Sequence, residues 1–189
     1  MIICITGMPG SGKTELAHML AGKGFKVIEM GDLLRQAVQK AGLDPIEKNV
    51  GAYATKHRQE TGRTEIFAVE AVPLIEKMHG KDIVIAGARS EKEIEYFKKA
   101  LKHMFTIAIV ASPEVRFRRL SARGRSDDHV SLANFNARDE RERGYGIESV
   151  IADADYIIFA DAERGVLEMN DEINAIIAEI REIEKGSKK

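Results

Sequence analysis

Residues 7 to 14 read GMPGSGKT, placed directly after the apolar run MIICIT and directly before ELAHMLA. Three glycines, a lysine and a threonine at this spacing leave the backbone few options. Glycine accepts positive φ, so successive N–H groups can turn inward and form a concave nest for an anion. The positive end of a following helix strengthens such a nest. A GxxxxGK[ST] pattern between a strand and a helix is a phosphate-binding loop for a nucleotide. Gly7, Met8, Pro9, Gly10, Ser11, Gly12, Lys13 and Thr14 are therefore expected to cradle the donor's phosphates. Lys13 is expected to reach the β- and γ-phosphates, and the Thr14 hydroxyl to ligate Mg²⁺, which makes ATP and Mg²⁺ the expected ligands.

Such a loop needs a sheet behind it. Five runs, MIICIT, KVIEM, DIVIAG, FTIAIVA and DYIIFA, are rich in β-branched or apolar residues without strict alternation, as strands buried on both faces are. Longer stretches with helical spacing separate them, so the pattern predicts crossover helices and a mainly parallel sheet. The expected fold is α/β, a three-layer P-loop NTPase fold with five mainly parallel strands and helices on both faces. Asp44, Pro45 and Glu47 carry the cap, proline and acid of a helix start, and Ser112 with Pro113 repeats the cap and proline. Ile173, Ile176, Ile177, Ile180 and Ile183 predict a final helix whose apolar stripe covers one sheet face.

The chain of 189 residues is expected to form a single domain, 1–189. Lys plus Arg, 29, nearly balances Asp plus Glu, 30, which argues against the basic field that drives extensive nucleic-acid binding. Any anion site must then be local. The lone Cys4 lies in an apolar run and reads as a small buried side chain in a reducing compartment. No apolar run reaches the length of a membrane span, so a cytoplasmic protein without a membrane partner is expected.

An early P-loop, no NKxD element and scattered arginine segments make the chain resemble the nucleoside monophosphate kinase superfamily. Within it the chain resembles adenylate kinase and dephospho-CoA kinase, and most closely a group of uncharacterised archaeal nucleotide kinases related to both. The resemblance runs from Met1 to about Ala160, and the P-loop is its one specific motif. MGDLLR, 30–35, is similar to the GDxLR of adenylate kinases, which implies that Arg35 holds an acceptor's phosphate. RQETG, 58–62, is similar to the RxxxG of the archaeal group's acceptor-binding helices, which adds Arg58. AGARS, 86–90, resembles DGxRS and DGxPR, which makes Arg89 a second clamp. Residues 31–80 would form the acceptor-binding helices, and the acceptor would be a nucleotide-like small molecule. Without the resemblance, Arg35 and Arg89 still stand just past the C-terminal ends of strands two and three, where parallel α/β sheets bind ligands. Arg35 is also placed to form an ion pair along its own helix.

RFRRLSARGRSDDH, 116–129, carries five arginines with no acid between Glu114 and Asp127. On a helix Arg116, Arg119 and Arg123 share one stripe and repel unless an anion lies among them, so a phosphate-facing segment is expected, and the resemblance to adenylate kinases implies a lid over 116–143. In adenylate kinases such a lid has arginines on both sides of an Asp-Asp pair. Here Arg119, Arg123 and Arg125 precede Asp127 and Asp128, and Arg138 follows. The resemblance gives Arg119 a donor contact and Arg123 and Arg138 the stabilisation of transfer. Arg141 and Arg143, among Glu140 and Glu142, read as members of a salt-bridged helix.

The chain departs from both families at one position. The third strand usually ends in an aspartate that orients the Mg²⁺ water shell, and Ala86 stands there. Asp82, at the other end of that strand, is no substitute. Asp32 is equally placed to act as a catalytic base, as in dephospho-CoA kinases, or to cap a helix beginning at Leu33. Four readings stay open: transfer of the ATP γ-phosphoryl group to a nucleoside monophosphate, dephospho-CoA kinase-type transfer to a hydroxyl, a nucleotide-gated ATPase or binding protein with no phosphorylated acceptor, or a kinase for a small non-nucleotide alcohol. The acceptor's identity and the oligomeric state are not written in the sequence.

Overall fold

The computed structural model describes residues 1–78, 80–123, 131–161 and 166–186. Its five strands are β1 (Ile2–Thr6), β2 (Lys26–Glu29), β3 (Ile83–Ala86), β4 (Met104–Val110) and β5 (Tyr156–Phe159). All neighbouring pairs are parallel, in the order β2-β3-β1-β4-β5. The helices are α1 (Lys13–Gly22), α2 (Met30–Lys40), α3 (Glu47–Thr61), α4 (Ile66–Glu76), α5 (Glu91–Ala100), α6 (Pro113–Arg123), α7 (Leu132–Gly144), α8 (Ile147–Ala152) and α9 (Val166–Gly186).

Side chains alternate along each strand, and here both faces are apolar. Ile3 and Ile5 of β1, Val84 and Ala86 of β3, and Ile107 and Ile109 of β4 pack toward α1 and α9, whose Leu16, Leu20, Ile173, Ile177 and Ile180 are buried against them. Cys4, Ile83 and Ile85 point the other way, into a cluster with Leu34, Phe67, Ala71, Val72, Ile75 and Phe97 from α2, α4 and α5. Each fully buried isoleucine contributes about 1.5–3 kcal/mol, so a sheet covered on both sides is the stable outcome of these runs. Ile183, the last of the final helix's isoleucines, is 43% exposed, because the stripe outruns the sheet. Cys4 is fully buried, and burial pushes its thiol up to about 12.

Two helix starts differ from the sequence reading. Asp44 does not cap α3; the helix begins at Glu47, while the Asp44 carbonyl accepts from the Ile46 N–H and the Asn49 side chain, a local turn that competes with capping. α2 begins at Met30, straight out of β2, so Asp32 lies inside its first turn and caps nothing. The start at Ser112 and Pro113 is as expected: the Ser112 hydroxyl accepts from the Val115 N–H at 3.4 Å. Among the described residues, no helix is long and apolar enough to cross a membrane.

Candidate active site

The chain reverses direction across the sheet at β1: β2 and β3 lie to one side of it, β4 and β5 to the other. Ligands of such sheets bind at the strands' C-terminal ends beside this switch point, and residues 7–12 emerge there. Gly7, Gly10 and Gly12 have φ of 142°, 79° and 114°. A Cβ on Gly7 would stand 2.3 Å from the Ile109 carbonyl oxygen of β4, and one on Gly10 would stand 2.7 Å from the Arg116 carbonyl oxygen of α6. Both positions therefore need glycine for conformation and for space. Ser11 is fully buried, its hydroxyl without a hydrogen-bond partner among the described residues. Met8 contributes a carbonyl: Lys13 Nζ donates to Gly7 O at 2.6 Å and to Met8 O at 2.9 Å. Burial pulls the Lys13 ammonium down to about 7, against the pull of Glu142 and with help from Arg89, Arg138 and Arg123.

A cavity of about 370 Å³ opens over this loop. Gly7, Pro9, Gly10, Gly12, Lys13 and Thr14 line one side; Arg35, Arg89, Arg119 with Arg123, and Arg138 come from four other places in the chain. A second, smaller hollow lies beyond Arg35, Arg89 and Arg138, toward Leu34 of α2 and Val50 and Ala54 of α3.

Each arginine has its own anchorage. Arg89 sits in the β3–α5 turn, whose backbone is tied to β1: Gly87 N–H donates to Ile5 O at 2.8 Å and the Thr6 hydroxyl to Ala88 O at 3.0 Å. The turn is closed by a capping box, in which the Ser90 hydroxyl accepts from Glu93 N–H and the Glu93 carboxylate accepts from the N–H groups of Ser90 and Arg89. S-x-x-E is legible in sequence and would have found Glu93 as the support of Arg89. The Arg89 guanidinium donates to Glu142 Oε1 at 2.7 Å. Glu142 is buried, and its second oxygen has no hydrogen-bond partner among the described residues. Thus the acid read as part of a salt-bridged helix is instead a wall of the cavity, while Arg143 does pair with Glu140 and Glu148 on the surface. No sequence signal marks Glu142, because its partner lies 53 residues away.

Four expectations are corrected. Arg116 does not face phosphate: it is 3% exposed, forms a bidentate pair with Asp139 of α7, donates to Pro9 O at 3.1 Å and stacks on Phe135. The acid missing from its own segment arrives from another helix. Arg119 lines the cavity, yet its guanidinium is spent on backbone, donating to Ser11 O at 3.0 Å and Ala160 O at 2.6 Å. It therefore holds the loop's backbone while lining the cavity. Arg58 does not line the cavity: its guanidinium lies between the rings of Phe67 and Tyr145 and donates to Thr64 O and Glu93. Asp32 does not line it either; it is an exposed partner of Arg35, which holds that guanidinium at the cavity's edge. Arg125, Asp127 and Asp128 lie outside the described residues.

The cavity thus concentrates cations at a phosphate-cradling loop and adds three carboxylates the sequence did not single out, Glu15, Glu29 and Glu142. A family model described as an AAA domain matches residues 3–145. A UPF0200 protein of Thermococcus onnurineus is 40% identical over 185 residues, covering 93% of this chain and 99% of the relative. Another, of Methanothermobacter thermautotrophicus, is 39% identical over 158 residues, 84% and 80% of the two chains. Among solved structures, TT1252 from Thermus thermophilus superposes with a TM-score of 0.59 at 23% identity, covering 95% and 97% of the two chains. Shikimate kinase from Acinetobacter baumannii in complex with shikimate gives 0.61 at 14% identity, covering 94% and 93%. The chain belongs to the UPF0200 family, and its domain has the P-loop kinase-like fold.

Proposed function

We propose that this protein is a kinase that moves the γ-phosphoryl group of ATP onto a nucleotide-like acceptor, most simply a nucleoside monophosphate. One observation carries the reading: Lys13 and the glycine loop share a single cavity with Arg35 and Arg89, which leave the ends of β2 and β3 on the side away from β4. A guanidinium binds phosphate through two parallel N–H bonds, so two of them beyond the loop suit a second phosphate group rather than more of the donor. Asp32 is tied to Arg35 and lies outside the cavity lining, which weakens the hydroxyl-acceptor reading that needed it as a base.

In this reading Gly7, Gly10 and Gly12 let the backbone surround the donor's phosphates, and Lys13 exchanges its two carbonyl partners for them. Phosphoryl transfer is mostly positioning and stabilisation of charge on the moving group. Arg123 and Arg138, on α6 and α7, face the cavity and supply that charge. Arg89 trades Glu142 for the acceptor's phosphate. The donors fit Mg²⁺, which when bound would neutralise charge between the phosphates: Thr14, a residue with a hydroxyl to offer, lines the cavity, and a hard cation keeping most of its waters needs few protein ligands.

The test is transfer from γ-labelled ATP with Mg²⁺ to AMP, CMP, UMP, GMP, their deoxy forms and dephospho-CoA, with a no-acceptor control. Label on one monophosphate is the expected result. Label on dephospho-CoA would move the reading to a hydroxyl acceptor, and label released only as inorganic phosphate would replace it with a nucleotide-gated ATPase.

A further inference from the structure

β3 ends in Ala86, which offers no ligand to a metal or its waters, yet the neighbouring strand ends in a carboxylate. In the parallel pairing of β2 with β3, Glu29 is the register partner of Ala86. Register partners in a parallel pair point to the same face. That face is fixed by packing: Val84 and Ala86 lie in the cluster under α1, and Val27, two residues before Glu29, packs against the same cluster. Thr14 stands on the first turn of α1, on this side of the sheet. Glu29, Ala86 and Thr14 all line the one cavity.

The state of the Glu29 carboxylate is unusual for its surroundings. Five arginines and a lysine line the cavity; of the other two carboxylates there, Glu142 is engaged by Arg89 and Glu15 stands on the first turn of α1 rather than at a strand end. Among the described residues none bonds or pairs with Glu29, and it does not cap α2. A carboxylate facing a nucleotide's phosphates repels them unless a cation lies between. Among the described residues no group of three or more His, Cys, Asp or Glu could hold a metal ion, and Mg²⁺ is usually bound by one or two carboxylates together with substrate phosphates. Glu29 stands one strand, about 4.8 Å, further from β1 than Ala86, and its extra methylene and an intervening water suit a ligand that acts on the ion's hydration shell.

We propose that Glu29 takes the place of the missing β3 aspartate and orients the water shell of the Mg²⁺ that ATP brings; this rests on the ATP-binding reading above. It is a positioning residue, with Thr14 as the inner-shell ligand.

The experiment is calorimetric titration of the full chain with AMP-PNP, a non-hydrolysable ATP analogue, once with Mg²⁺ and once with EDTA. The readout is the ratio of the two affinities. Loss of an outer-shell partner lowers metal affinity about 10–100-fold, so Glu29→Gln should cut the Mg²⁺-linked gain about tenfold or more. Metal-free binding should hold or tighten, since a charge facing the phosphates is gone; this also shows that the variant is folded. Ala86→Asp in the Glu29→Gln background should restore the gain. An Mg²⁺-linked gain within about twofold of wild type, an equal loss with and without metal, or no rescue by Ala86→Asp would each overturn the proposal. Turnover lost with the gain intact would do so in favour of Glu29 as an acceptor base. Wild-type protein that binds no AMP-PNP at all would instead bring down the ATP reading itself.

Discussion

The loop from Gly7 to Thr14 and the arginine wall facing it line the same cavity, but they are built on different principles. The loop is contiguous: its conformation is carried by glycines and its ligands are backbone N–H groups, so eight adjacent residues contain the whole device. The wall is assembled from α2, the β3–α5 turn, α6 and α7, and apart from Arg35, held by Asp32 on its own helix, its anchored cations are aimed by groups distant in sequence. Arg116 binds Asp139 and reaches back to Pro9, and Arg119 reaches Ser11. The two regions are therefore mechanically joined: the wall's inner arginines hold the loop's carbonyls, while its outer ones face the ligand space. An arginine in a phosphate site is not thereby a phosphate ligand; its partner decides.

The comparison is broken most sharply at the join. Arg116→Ala leaves Asp139 buried and unpaired, which costs about 3–5 kcal/mol. A clear fall in the midpoint of urea unfolding, with weaker nucleotide binding in the protein that remains folded, would confirm that Arg116 belongs to the scaffold. An unchanged midpoint would return it to the phosphate-facing set. Next comes the loop alone: Lys13→Ala removes one member of a buried charged contact worth about 2–5 kcal/mol. ATP affinity measured by titration should drop by roughly 100-fold while unfolding is little affected. Arg89→Ala should raise the acceptor's KM about tenfold or more and leave ATP affinity largely intact, the equivalent of one charged hydrogen-bonded contact of about 1.5–3 kcal/mol. If ATP affinity fell and KM did not, Arg89 would belong to the donor side.

The smallest effect is a proton. With its ammonium at about 7 in the free protein, Lys13 is largely neutral at pH 8 and charged at pH 6. Phosphate beside it favours the charged form and raises that value, so the contribution of Lys13 to ATP binding is full below about pH 7 and fades as pH rises through the bound-state value. Nucleotide binding at pH 8 should take up close to one proton. Calorimetry in two buffers of different ionisation enthalpy measures it, and Lys13→Ala should abolish it.

Much of the frame was open to reading in advance. All five strands appear where the apolar runs lie, because runs apolar on both faces have few stable homes other than a covered parallel sheet. The helix start at Ser112 was equally local. Asp44 misled because an aspartate before a proline also stabilises a turn, and short-range chemistry does not choose between the two. Asp32 misled because one motif string serves two roles, and the i, i+3 pair with Arg35 was the local alternative that the fold adopted. Glu93 was legible as a capping box and went unread.

The sequence alone determined the phosphate loop, since φ, donor positions and the lysine's reach are set within eight residues, and it determined the sheet, since hydrophobic pattern is an average over many positions. Only the tertiary structure decided which charges face the ligand. Arg116 and Asp139 lie 23 residues apart, Arg89 and Glu142 lie 53 apart, and Arg116 and Pro9 lie 107 apart. A guanidinium's role depends on the nearest oxygen in space, and spacing along a chain carries no record of it. Glu29 and Ala86 are separated in sequence by α2, α3 and α4, and it took the register of two parallel strands to bring them side by side.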